Sequence, residues 1–206
     1  MTVLLLSSGG LDSTTVAYWL VEKKIRAEPV FFDYGQHCVE KEWDTLRSVL
    51  PKTELMAPPR RVDISDVYRD SSSRLINEPD LWNEAVDAEE LYIPYRTLLF
   101  FSASASIAQA RGIADVYSGF INSNHAKELD CTAGFLNRLD ALARNVGPVR
   151  FEIPFRELSK AEVVHIAKQL GVPIGRTYSC QLFSDVPCGA CPNCVERLTA
   201  LQAAGI

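Results

Sequence analysis

Four apolar residues, Val3–Leu6, run directly into Ser7-Ser8-Gly9-Gly10, and apolar residues at helical spacing follow over Asp12–Glu22. A buried strand that turns into a helix within a few residues is the opening of a strand–helix–strand unit, and such units build parallel sheets. The same alternation continues. Ala27–Phe32 reads as a second strand and Val39–Leu50 as a second helix. A third strand is expected within Glu54–Ile64, a fourth over Ala114–Gly119 and a fifth over Arg150–Ile153. Leu98–Ala110 reads as a helix rich in small residues. Ser159 to Leu170 is the clearest helix: Ser159 and Glu162 form a capping-box pattern, Gly171 stands at the C-cap position and Pro173 follows. The expected fold class is α/β, a parallel sheet with helices on both faces. Between Arg69 and Pro94 the chain turns polar and irregular, which suggests an excursion outside the sheet as a lid or a dimer contact.

The loop Ser8-Gly9-Gly10-Leu11-Asp12-Ser13-Thr14 suits a phosphate. Paired glycines let backbone N–H groups close on an anion, Ser8, Ser13 and Thr14 add hydroxyls, and the following helix points its positive end at the same place. No lysine follows, so this is not the mononucleotide loop that ends in Gly-Lys-Ser/Thr. An acid at Asp12 makes sense in such a cradle when it holds Mg²⁺ between phosphate oxygens.

The other dense feature is Cys180, Cys188, Cys191 and Cys194, with Pro187, Gly189 and Pro192 supplying turns. Four thiolates at this spacing make a closed tetrahedral site of the kind that holds structural Zn²⁺; an iron–sulfur cluster could use the same ligands. Cys38 and Cys131 stand apart and read as buried core residues. No apolar run approaches the ~20 residues of a membrane span, and nothing reads as a secretory signal, so a cytoplasmic protein with reduced thiols is expected. The formal charge of −5 gives no global attraction for nucleic acid.

The phosphate loop resembles that of the adenine-nucleotide α-hydrolase-like (PP-loop) superfamily, whose Rossmann-like enzymes cleave ATP between the α- and β-phosphates. With the cysteine cluster, the chain resembles one member family, 7-cyano-7-deazaguanine (preQ0) synthase of queuosine biosynthesis. Phe31-Phe32-Asp33-Tyr34-Gly35-Gln36, Ile93-Pro94-Tyr95-Arg96-Thr97, Leu158–Val163, Leu170–Pro173, Thr177–Cys180 and Cys188–Cys194 all carry the likeness. It implies a nucleotide-binding domain over residues 1–175, with an irregular insertion at 65–95, and a zinc-binding segment over 176–206. It implies a ligase that adenylates 7-carboxy-7-deazaguanine and captures the acyl group with ammonia, first as the amide and then, after a second adenylation, as the nitrile. The implied cofactors are ATP, Mg²⁺ and Zn²⁺, and the implied assembly is a homodimer.

The resemblance makes Ser8, Gly9, Gly10, Leu11, Asp12, Ser13, Thr14, Asp33, Tyr34 and Gln36 the nucleotide-binding set. Lys160 becomes the cation at the phosphates, and Arg96 a planar donor to phosphate or to the substrate carboxylate. Of the histidines, His165 reads as structural, while His37 and His125 fall near the expected site. The chain departs from the pattern in three places. His37-Cys38 stands where the family has Arg-His, and Arg96-Thr97 where it has Arg-Asn. In residues 122–135 Asn124, Thr132 and Gly134 replace an Asp, an Arg and a Glu. That last change motivates an alternative, a paralogue that joins the activated deazaguanine to an amine of a protein or nucleic acid. A tRNA-modifying adenylase would need a basic surface and a catalytic cysteine pair, neither of which is evident. A non-enzymatic zinc module would have no use for Asp12 and Lys160.

Overall fold

The structure, a computed structural model, describes residues 1–79, 86–87, 89–121, 132–182 and 185–206. Five strands lie in one sheet: β1 (Thr2–Leu6), β2 (Arg26–Asp33), β3 (Arg60–Asp63), β4 (Asp115–Tyr117) and β5 (Arg150–Glu152). Their order is β3-β2-β1-β4-β5 and every pairing is parallel. Six α-helices accompany them among the described residues: α1 (Leu11–Glu22), α2 (Val39–Val49), α3 (Arg96–Ala110), α4 (Ala133–Val146), α5 (Lys160–Gln169) and α6 (Pro192–Ala203).

The period of two in a strand sends alternate side chains to opposite faces. Val3, Leu5, Ala27 and Phe31 meet Val16 and Leu20 of α1, Leu46 of α2 and Val163 of α5. Leu4, Leu6, Val30 and Phe32 meet Phe101 and Ala108 of α3 and Leu136 and Leu139 of α4. Both faces are therefore dry, as a parallel sheet requires. Leu20 and Leu46 lose all exposure, and each such leucine contributes about 1.5–3 kcal/mol of transfer free energy.

The five expected strands form, with β4 shorter than the apolar run that suggested it. α3 begins at Arg96, two residues earlier than its periodicity suggests, because Tyr95 enters the left-handed region (φ 62) and turns the chain into the helix. Two helices went unanticipated. Thr132 starts α4 by accepting the Phe135 N–H at 3.2 Å, and Cys191 starts α6 by accepting the Cys194 N–H, with Pro192 at the first helical position.

The described part of the irregular segment after β3 contains a 3-10 turn, Ser65–Tyr68. Its Tyr68, Leu75, Leu91 and Ile93 are buried with Cys38, Tyr178 and three of the four clustered cysteines. The excursion is thus packed onto the C-terminal segment. α6 in turn packs on α1 and α5 through Ala200, against Leu11, Val164 and Ala167.

Candidate active site

From β1 the chain steps outward to β2 and β3, then returns to the other side of β1 for β4 and β5. The switch lies between β1 and β4, and at the carboxyl ends of those strands an open α/β sheet leaves a crevice. A cavity of about 340 Å³ occupies it, lined by Ser8, Asp12 and Ser13 from one end of the chain and Tyr178, Asn193 and Glu196 from the other.

The loop after β1 is shaped by contacts that exclude side chains. Gly9 has φ +79, and a Cβ there would stand 2.8 Å from Leu46 N and 3.0 Å from Glu42 O. The loop can lie flat on α2 only with glycine. Gly10 caps α1 without a side-chain hydrogen bond, so no capping side chain occupies the first-turn N–H groups that an anion would use. Ser13 Oγ accepts from Ser8 N at 3.2 Å and donates to Gly10 O at 3.3 Å, and the two serine hydroxyls lie 3.3 Å apart. Thr14 is buried inside the turn rather than lining the cavity.

Lys160 reaches Asp12 Oδ2 at 2.5 Å and lies 3.8 Å from Glu196 Oε2. The capping box of α5 explains its freedom to do so. Ser159 N donates to Glu162 Oε2 at 2.7 Å and Glu162 N to Ser159 Oγ at 3.3 Å, which satisfies the helix start and leaves the Lys160 side chain to the cavity. Asp12 Oδ1 is buried and accepts no hydrogen bond from any described residue. An orphaned carboxylate oxygen beside an open anion cradle fits a hard divalent cation.

Tyr34, Gln36 and Arg96 also line the cavity. The Arg96 guanidinium lies over the Tyr34 ring, 5.6 Å from its centroid. Burial pushes the Tyr34 hydroxyl pKa up, against the pull of Arg96. Gln36 is 3 % exposed. Its Oε1 accepts from Tyr34 N at 2.9 Å, and its Nε2 donates to Phe32 O at 3.3 Å and to Glu42 Oε2 at 2.8 Å. Burial also pushes the Glu42 carboxyl up to about 7.

Asp33 is placed differently from the rest of the expected set. Its carboxylate accepts from Arg61 Nη2 at 2.7 Å and from Gly35 N at 3.1 Å, and it does not line the cavity. His37 Nε2 lies 3.1 Å from Gln181 O and its Nδ1 3.3 Å from Cys38 Sγ. Cys38 is buried as expected, and burial holds its thiol up at about 12, so it stays protonated. His165 sits mid-helix in α5, its Nε2 3.0 Å from Gln169 Nε2. His125, Cys131 and Asn124 lie outside the described residues. Thr132 and Gly134 open α4; neither lines the cavity, and a Cβ on Gly134 would meet nothing within 4 Å.

The four clustered sulfurs lie within 4.8 Å of one another. Backbone N–H groups of Leu182 and Cys188 point at Cys180 Sγ (3.5 and 3.4 Å), those of Ala190 and Cys191 at Cys188 Sγ (3.4 and 3.2 Å), and that of Cys194 at Cys191 Sγ (3.4 Å). Donors converging on sulfur stabilise thiolates, and Gly189, at φ +73, supplies the turn between the second and third cysteines. The donor set fits one tetrahedral metal ion.

Four residues of the site escaped sequence reasoning. Glu42 and Glu196 are exposed-looking acids on helices. Gly119 follows β4 by two residues, where a Cβ would stand 2.7 Å from Ser13 N; a glycine just past a strand's carboxyl end was the available signal. Arg197 donates to Thr177 Oγ1 (2.7 Å), Ser179 Oγ (3.2 Å) and Ile174 O (2.5 Å), pinning the strip that carries Tyr178 along the cavity.

A family model described as "Queuosine biosynthesis protein QueC" matches residues 2–205. The chain belongs to the QueC family. The 7-cyano-7-deazaguanine synthase of Marinobacter nauticus is 30% identical over 211 residues, covering 100% of this chain and 94% of that protein. The synthase of a Synechococcus species is 31% identical, covering 99% and 94%. Among solved structures, a 4-thiouridine synthetase–RNA complex with bound ATP superposes with a TM-score of 0.56 at 21% identity, covering 99% of this chain and 50% of that one. The NMN synthetase of Francisella tularensis gives 0.52 at 13% identity, covering 99% and 83%. These two likenesses are of fold. QueC family membership makes the chain an ATP-using ligase-type enzyme of the PP-loop class. No described helix is long and apolar enough to cross a membrane.

Proposed function

We propose that this enzyme adenylates the carboxylate of 7-carboxy-7-deazaguanine, captures the acyl group with ammonia, and adenylates the resulting amide again to release 7-cyano-7-deazaguanine. The observation that carries the reading is the meeting of Asp12 and Lys160 at the phosphate loop, in a chain matched by the QueC family from end to end.

Each cavity residue has a place in this chemistry. The loop Ser8–Ser13 cradles the phosphates. Asp12, with its unpartnered Oδ1, would hold Mg²⁺, which would supply positive charge to the phosphates when bound. Lys160 then exchanges Asp12 for the α-phosphate, where negative charge grows in the transition state. Arg96, also on the cavity wall, meets the substrate carboxylate with a planar donor pair. The four cysteines hold Zn²⁺. An ion held by all four thiolates would keep no position for substrate, and its contribution would be structural, fixing the segment that carries Tyr178, Asn193 and Glu196. The protein acts as a cytoplasmic homodimer in this reading.

Mass spectrometry of products from ATP, Mg²⁺, 7-carboxy-7-deazaguanine and ammonia tests it. Nitrile with two AMP per turnover is the expected outcome. ADP, or no product from this substrate, would overturn it. An amide to a larger amine in place of nitrile would identify the conjugating paralogue instead.

A further inference from the structure

We infer that Glu42 is the base that takes protons from the reacting nitrogen. The inference rests on the proposed function and assigns a residue to its nitrogen chemistry.

Both nitrogen steps must shed protons. When ammonia attacks the acyl-adenylate, a C–N bond forms, the C–O bond to AMP breaks, and one N–H proton has to leave. In the second activation the amide oxygen bonds to the α-phosphorus and pyrophosphate departs. Two N–H protons are then lost as the C≡N bond forms and the C–O bond to AMP breaks. A carboxylate within reach of that nitrogen serves every one of these transfers, provided it is not locked to a cation.

Glu42 meets that condition. The carboxylates that line the cavity among the described residues are Asp12, Glu42 and Glu196. Asp12 and Glu196 both face Lys160. Glu42 makes no salt bridge with any described residue; Gln36 Nε2 donates to its Oε2 at 2.8 Å. Gln36 is itself fixed by Tyr34 N and Phe32 O, so one carboxylate oxygen is held and the geometry of the other is set. Glu42 lines the same cavity as the phosphate loop, and its backbone carbonyl seats α2 against Gly9 of that loop. The remaining candidates are spent: His37 faces the Gln181 carbonyl, Asp33 is held by Arg61, and Cys38 keeps its proton.

The titration agrees with the geometry. Desolvation raises the Glu42 carboxyl to about 7, Gln36 and Arg96 of α3 oppose the rise, and Asp33 at the end of β2 adds to it. Tyr34 and Cys38 also face it and remain neutral, while Lys41 on the same helix turns to the Tyr178 ring. A group poised near neutrality both accepts a proton and releases it between the two activations.

The test separates adenylation from nitrogen capture. Glu42→Gln keeps the size and can keep the acceptor for Gln36, so a purely structural role would survive it. ATP–pyrophosphate exchange dependent on 7-carboxy-7-deazaguanine reports adenylation, and amide formation reports capture. The expected result is that capture of ammonia falls about 100-fold more than exchange does. Capture of hydroxylamine, a stronger nucleophile, should fall much less, and Glu42→Asp should recover part of the ammonia rate. Equal losses in exchange and capture, or no loss in capture, would overturn the assignment. Absence of exchange in the unmodified enzyme would overturn the function on which it rests, and is read before any variant is made.

Discussion

The backbone N–H of Tyr178 donates to the carbonyl of Gly9 at 3.2 Å, which fastens the strip leading to the first clustered cysteine onto the phosphate loop. Glycine at that loop position and the fold of the cysteine segment therefore support one wall.

Removing a ligand cysteine should reach the nucleotide. Cys191→Ser keeps an oxygen to cap α6 but takes away a thiolate. The unmodified protein is expected to carry about one Zn²⁺ per chain. The variant should lose it and bind ATP roughly tenfold more weakly, about 1.4 kcal/mol. Elemental analysis and calorimetry measure the two effects; a variant without metal and with unchanged ATP affinity would separate the metal from the site.

Lys160→Ala should slow adenylation by about 100- to 1,000-fold while changing ATP affinity less, since the lysine acts most on charge that grows during transfer. Asp12→Asn should shift the Mg²⁺ dependence to higher concentration. Pyrophosphate exchange against Mg²⁺ concentration resolves both.

Two glycines should behave oppositely. In Gly119→Ala the new methyl would sit 2.7 Å from Ser13 N and 2.8 Å from Asp12 C, and overpacking of this kind costs about 1–3 kcal/mol. Gly134 lies inside α4 with open space around it, so Gly134→Ala should stabilise by about 0.5–1 kcal/mol. Urea unfolding of both variants gives the comparison.

Stability should fall with rising pH through the titration of Glu42. Its folded pKa is raised from 4.5 to about 7, so the folded state holds the proton more tightly than the unfolded chain does. The favourable contribution is complete below the unfolded value, declines between about pH 4.5 and 7, and is lost above that, by at most about 3 kcal/mol. Glu42→Gln should flatten this limb. Denaturation midpoints at pH 5, 6, 7 and 8 would show it, and an identical limb in the variant would assign the slope to other groups.

What the sequence makes legible is local. The phosphate loop, the capping box of Ser159 and Glu162 and the four cysteines are contiguous or nearly so, and their spacing alone states their geometry. The parallel sheet follows from alternating apolar periods, which its two dry faces impose. Gly119 and Arg197 act through partners distant in the chain, Glu42 is set apart only by the cavity it lines, and no period marks any of them. Asp33 shows the converse: its place in a motif suggested the nucleotide, yet Arg61 on the neighbouring strand takes its carboxylate. α6 was hidden because its start is a metal-ligand turn, where cysteine stands in for the usual capping residue.

The joining of Gly9 to Tyr178 also sets an order of events in synthesis. The phosphate loop is made well over a hundred residues before Tyr178, Asn193 and Glu196, which line the same cavity. Until that later stretch has emerged, a growing chain can form β1 and β2 but has only half of the cavity wall. Contacts so far apart in sequence form late and slowly, and a metal ion bound at the four cysteines would favour the state in which they have formed.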